Sequence, residues 1–190
     1  MSAPGAPNAS AWKLAQTFST GLSASETRKL LDLLESSQRS VPVRGGHGRT
    51  SVDAVVEGAV TNFVLKAERR RQVERGSLPL AKVAAEIGAP AHDLERGLAT
   101  GRLIGLRRGG EWWLPMWQFN LEAADPILPG LADLIRVFPG SVVALSRWVE
   151  RRSAAFDGNS PAELLRRGEV DRVVQEAAAL QGASGPVSRD

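Results

Sequence analysis

The chain has 190 residues, of which 43% are hydrophobic and 24% charged, enough apolar material for one domain or two small ones and too much for a disordered chain. It has no run of 18 or more apolar residues, no charged-then-apolar leader and no cysteine, so membrane spans, secretion, disulfides and thiolate catalysis are not expected, and a cytoplasmic address is. The formal charge of +3 is uneven, with sixteen basic against eleven acidic residues through Phe119 and eight against ten from Asn120 onward, so a basic front precedes a mildly acidic back.

Residues 1–50 read as a tail, a short helix and a linker. The first ten residues carry no periodicity, and Trp12 and Phe18 are candidate anchors for them. Ser23 and Glu26 form a capping-box pattern that opens a predicted helix to about Glu35, with Leu30, Leu31, Leu33 and Leu34 as its apolar side. Pro42, Gly45, Gly46 and Gly48 make Ser36 to Gly48 a linker.

Residues 51–76 read as one long amphipathic helix. Val52, Val55, Val56, Ala59, Val60, Phe63, Val64 and Ala67 recur at helical spacing, predicting a helix from Val52 to about Glu74. This stripe suits a dimer interface or packing within its own chain. Lys66, Arg69, Arg70, Arg71 and Arg75 near its end complement the helix dipole or contact phosphate; the charge pattern fits both.

Residues 77–119 are expected to carry the function. Leu80, Val83, Ala84 and Ile87 give a brief helix ended by Gly88, and Leu94 and Leu98 mark a second that stops at Gly101. Two short helices joined by a glycine-containing turn are a helix-turn-helix pattern. Arg102 to Arg107 and Glu111 to Leu114 then read as short extended runs separated by Arg108, Gly109 and Gly110, a hairpin signal. From Leu80 through "ERGLATGRLIGLRRGGEWWLPMWQF" the chain resembles the winged helix-turn-helix of the excisionase and MerR-like group. The resemblance covers about forty residues and implies that the helix Pro90 to Thr100 enters the major groove of double-stranded DNA while the hairpin flanks the phosphates.

By their own chemistry, Arg96 on the second helix and Arg102, Arg107 and Arg108 around the hairpin can reach phosphates or a guanine edge, and Lys82 on the first helix can hold the backbone. Asp93 and Glu95 on the same second helix would repel phosphate. Trp112, Trp113 and Trp117 form either a seam between two domains or a stacking platform for single strands, and apolar burial favours the seam. His92 reads as a surface or capping residue, because His47 is the only other histidine and no carboxylate cluster stands at metal spacing; no metal or cofactor is expected.

Residues 120–181 read as a helical domain and 182–190 as a disordered tail. Pro129 to Phe138 and Val142 to Arg151 are predicted amphipathic helices. Asp157 and Gly158 then make a turn, Ser160 caps, Pro161 takes the first helical position, Glu163 closes a capping box and Gly168 stops the helix. Val170, Val173, Val174, Ala177 and Ala178 carry a last helix ending before Gln181. The stretch Phe156 to Pro161, the run Glu163 to Leu165, Gly168, and the earlier Trp117 to Phe119 and Pro129 to Leu131 together resemble the C-terminal toxin-binding domain of Xre/MbcA/ParS-type antitoxins. This resemblance spans about sixty residues and implies a protein partner such as a RES-type toxin, and an antitoxin dimer that represses its own operon.

The expected fold is therefore mainly α: a helix-turn-helix with a short β-hairpin wing, followed by a helical toxin-binding-like domain. The expected function is that of an antitoxin-like transcriptional regulator that binds operator DNA and a protein partner as a homodimer or higher oligomer, away from membranes. Arg166, Arg167 and Arg172 are the candidate partner-binding residues. The alternative is an architectural or assembly protein that coats DNA without sequence preference. An enzyme is not expected: there is no tyrosine or cysteine, the two histidines are isolated, and no phosphate-cradling glycine loop or nucleophile-base pair is present.

Overall fold

The computed structural model describes residues 24–39 and 49–183. They are mainly helical with one small antiparallel sheet, in the order α1 (Ala24–Arg39), α2 (Arg49–Arg75), β1 (Ser77–Pro79), α3 (Leu80–Ile87), α4 (Ala91–Ala99), β2 (Leu106–Arg108), β3 (Glu111–Pro115), α5 (Leu131–Val137), α6 (Val142–Glu150), α7 (Pro161–Arg166) and α8 (Val170–Ala183). Single 3-10 turns at Met116–Gln118 and Ala154–Phe156 complete it. None of these helices is long and apolar enough to cross a membrane. The chain divides into two compact units, 1–70 and 71–190, so that α2 runs across the division.

In the first unit, α1 continues four residues past the expected Glu35, because Ser36 to Arg39 contain no glycine or proline to stop it. Leu30 is buried, while Leu31 is partly exposed. The expected anchors Trp12 and Phe18, the cap Ser23 and the glycine linker lie outside the described residues. The stripe on α2 appears as buried Val60 and Ala67 with half-buried Ala59, Phe63 and Val64. Leu65 lies off the stripe and is exposed.

The second unit begins with the last turn of α2, where the Ser77 hydroxyl donates to the Val73 carbonyl at 2.7 Å. β1 follows at once, a strand that no pattern in the sequence announces. It forms one edge of the sheet, whose order is β1-β3-β2, with Leu78 opposite Leu114 and Leu106 opposite Trp113. An edge strand tolerates Pro79, which has no N–H to give. The helix-turn-helix α3–α4 is inserted between β1 and the hairpin β2–β3, so the sheet brackets it in sequence. Of the extended run expected from Arg102 to Arg107, only Leu106 and Arg107 are in a strand, and Arg108 belongs to β2 rather than to the turn.

Two glycine sites set this geometry. The hairpin turn is Gly109–Gly110 with φ of 58° and 87°, the signs a two-residue type I′ turn requires. Gly97 on α4 has no side chain to hold off the returning chain: a Cβ there would stand 2.8 Å from Leu103 Cδ1. That absence lets the Arg102 and Leu103 amides both donate to the Gly97 carbonyl, at 2.8 and 3.0 Å, and tucks Leu103 under the helix.

One continuous apolar core runs through this unit. It joins Val83 and Ala84 of α3, Leu94 of α4, Leu103, Ile104, Leu114, Trp117 and Phe119 to Leu131, Leu134, Leu145, Val149, Phe156, Leu164, Leu165, Val173 and Ala177 of the C-terminal region. Each of these side chains is at most 9% exposed, and burial of this kind is the main driving force for the unit. Phe138, Trp148 and Phe156 form an aromatic string, with centroids 5.4 and 5.9 Å apart. α8 continues to Ala183, two residues past Gln181.

Candidate nucleic-acid interface and partner face

α3 and α4 are joined by Gly88–Pro90, and both show the expected inner faces, with Val83, Ala84, Leu94 and Gly97 buried. Lys82 is exposed on α3, as are Ala91, His92, Glu95 and Arg96 on α4. Arg96 forms an ion pair one helical turn back with Asp93, and His92 Nε2 lies 3.4 Å from the same carboxylate. The charge of Arg96 is thus countered within its own helix, and Glu95 leaves the exposed face of α4 acidic.

The hairpin is different. Arg102, Arg107 and Arg108 are all exposed. The Arg107 guanidinium sits 4.8 Å from the centroid of Trp112, its cross-strand partner, and that of Arg108 sits 4.6 Å from the centroid of Trp113. Trp112 and Trp113 are consecutive residues of β3 and so point to opposite faces of the sheet. The hairpin therefore carries one stacked arginine on each face. Stacking engages the flat face of a guanidinium, whereas phosphate binds at its in-plane N–H edge, so the two are compatible. Trp112 packs on the apolar core and Trp117 is within it, so neither offers an open stacking surface.

Behind the hairpin stands a residue that composition does not single out. Gln118 is completely buried in the 3-10 turn after β3. Its Oε1 accepts from the Ile104 amide at 2.8 Å, and its Nε2 donates to the carbonyls of Ile104 at 2.9 Å and Pro115 at 3.1 Å. One side chain thereby imitates a strand-to-strand bridge and fixes the loop between α4 and β2. Its sequence signal is no more than a lone amide between Trp117 and Phe119.

In the C-terminal helices, the capping box on α7 is complete: Glu163 N–H donates to Ser160 Oγ at 3.3 Å, and Ser160 N–H to Glu163 Oε2 at 2.8 Å. The Ser160 backbone N–H, with help from Arg152, holds the Glu163 carboxyl below its usual range. The turn before it, where Asp157 adopts a φ of 53°, is gripped by arginines. Arg152 reaches the Gly158 carbonyl at 3.2 Å and Glu163 at 2.5 Å. Arg172 reaches the Ala155 carbonyl and Asp157 Oδ2, both at 2.8 Å, and lies over the Phe156 ring.

The three arginines expected to bind a partner are therefore not equivalent. Arg172 holds its own turn, and Arg167 reaches Asn159 Oδ1 at 3.4 Å. Arg166, exposed at the end of α7, instead borders an open cleft of about 340 Å³ together with Met116, Trp117, Glu150, Ser160, Ala162 and Glu163. Partial burial pushes the Glu150 carboxyl upward, against the attraction of Arg166. Among the described residues no group of histidines and carboxylates could hold a metal ion. Comparisons with protein-family models, with curated proteins and with solved structures find no match to this chain.

Proposed function

We propose that the chain is a DNA-binding regulator that holds double-stranded DNA through its hairpin and helix-turn-helix and a protein partner through its C-terminal helices. The single observation that carries the DNA part is the pair of exposed arginines, Arg107 and Arg108, stacked on Trp112 and Trp113 on opposite faces of one hairpin. Stacking fixes the position of each guanidinium before contact, so less side-chain entropy is lost when phosphate is bound. Arg102, exposed in the segment between α4 and β2, adds a third charge. An antitoxin role, with a toxin as the partner and a dimer as the acting form, extends this reading through the resemblance of residues 117–168 to the antitoxin domain; a cytoplasmic address goes with it.

The second reading, binding without sequence preference, is favoured by a specific observation: the Asp93–Arg96 pair and Glu95 leave α4 poor in side chains that could read bases. The two readings separate in one titration, since a regulator discriminates its operator from random duplex at fixed salt and an architectural protein does not.

Replacing Arg102, Arg107 and Arg108 together with alanine should weaken duplex binding. It should also lower the slope of log affinity against log salt by about 0.9 for each phosphate that the variant no longer neutralises, while the circular dichroism spectrum is retained. Unchanged gel retardation by the triple variant would remove the hairpin from the interface.

A further inference from the structure

We infer that Gly105 is a positioning residue. It seats the Trp112 indole against α4 and through that ring sets where Arg107 stands relative to the helix-turn-helix, while Arg108 is seated independently. The consequence for DNA rests on the reading of the hairpin as a duplex contact, and it adds which of the two arginines is held in register with α4.

The segment between α4 and β2 is pinned step by step. The Arg102 and Leu103 amides donate to the Gly97 carbonyl, and the Ile104 N–H and C=O are both taken by the buried Gln118 amide. Gly105 comes next, where three groups close in. A Cβ there would stand 3.1 Å from Leu98 Cδ2 of α4, 3.1 Å from Trp112 Cε3 and 3.2 Å from the Trp113 carbonyl oxygen. The two carbon contacts are closer than the optimal separation of about 3.5–4.0 Å. The φ of Gly105 is not positive, so close approach, not backbone freedom, calls for glycine here.

An added methyl group would therefore need a neighbour to give way. The Trp113 oxygen belongs to β3, the central strand, which is paired on both sides and cannot move alone. Leu98 and Trp112 are half-buried side chains, so the methyl drives them apart and lifts the indole from its seat on α4. Arg107 follows, because its guanidinium lies 4.8 Å from the centroid of that ring. Arg108 does not. It stacks on Trp113, which points to the other face with Pro79 and Leu106 as cross-strand neighbours, and which does not join the core on which Leu98 and Trp112 pack. Arg107 thus keeps a set spacing from α4 that a duplex touching both must match.

The test compares the full chain with Gly105→Ala in two measurements. In NMR spectra, the ring current of an indole displaces the side-chain signals of an arginine stacked on it, and Arg107→Ala and Arg108→Ala assign the two sets. Gly105→Ala is expected to move the Arg107 signals toward their positions in Trp112→Leu and to leave those of Arg108 in place. In duplex titrations, Gly105→Ala should lower the slope of log affinity against log salt by up to about 0.9, the value for one phosphate, in the wild-type and Arg108→Ala chains and not in Arg107→Ala. Unmoved Arg107 signals, or equal movement of both arginines, overturn the seat. An equal loss of slope in the Arg107→Ala background means that Gly105 acts through the fold at large, which overturns the positioning role. Leu98→Ala empties the same contact from the helix side; it should move the Arg107 signals likewise, and it decides the matter if Gly105→Ala does not fold. A wild-type chain that retards no duplex would strike the DNA reading, and the NMR comparison would still decide the seat.

Discussion

Gln118 has the sharpest consequence of any single residue. Its amide satisfies both the N–H and the C=O of Ile104 within a buried site. Gln118→Leu keeps the volume but orphans these and the Pro115 carbonyl, and it should cost about 2–4 kcal/mol of stability, read from the midpoint of urea unfolding. A loss within the error of the measurement would show that the bridge is dispensable. The need for this residue is not legible in the sequence, because it arises from a loop fourteen positions away. The same holds for Arg172. Its charge is visible and suggests an exposed contact, but the turn that carries Asp157 to it is a product of folding. What sequence conveys well at this scale is local chemistry, as in Ser160 and Glu163, whose partners are three residues apart.

Among the elements, α7 shows how a short helix survives. Six residues are too few for an isolated helix, so its cap and its buried Leu164 and Leu165 must supply the stability. Because the capping hydrogen bond depresses the Glu163 pKa in the folded chain, the stabilisation is fully present above the ordinary carboxylate value near 4.5 and is lost as pH falls through the lower folded value. Glu163→Gln should therefore lower the thermal midpoint at pH 7 by more than it does at pH 3, and an equal drop at both would refute the charged cap. Helices α3, α4 and α7 are legible in the sequence because glycine or proline punctuates apolar periodicity at their ends. β1 is not: three residues are too short to show alternation, and only pairing with β3 makes them a strand.

At the scale of the whole molecule, the helix-turn-helix and the C-terminal helices share one core, although the sequence suggests a boundary at Phe119 and Asn120. The composition shift there is real, but Leu114, Trp117 and Phe119 lie in the same apolar cluster as Leu131, Leu134 and Leu165. A fragment of residues 71–190 should unfold in one cooperative transition. A fragment of residues 71–120 should lack a fixed tertiary structure, since the helices that complete its core are gone. Near-ultraviolet circular dichroism of the two decides the matter: a sharp tryptophan signal from the shorter fragment would mean that the segments are independent.

The Gly109–Gly110 tip has a further implication for how the hairpin loosens. Glycine fits the turn without strain, but of all residues it has the most backbone freedom to surrender when the chain becomes ordered. An asparagine at the first position would fit the same turn with less to lose. The tip is thus the entropically costliest stretch of an element otherwise braced by two indoles. Loosening of the hairpin is expected to begin there, directly beside Arg108.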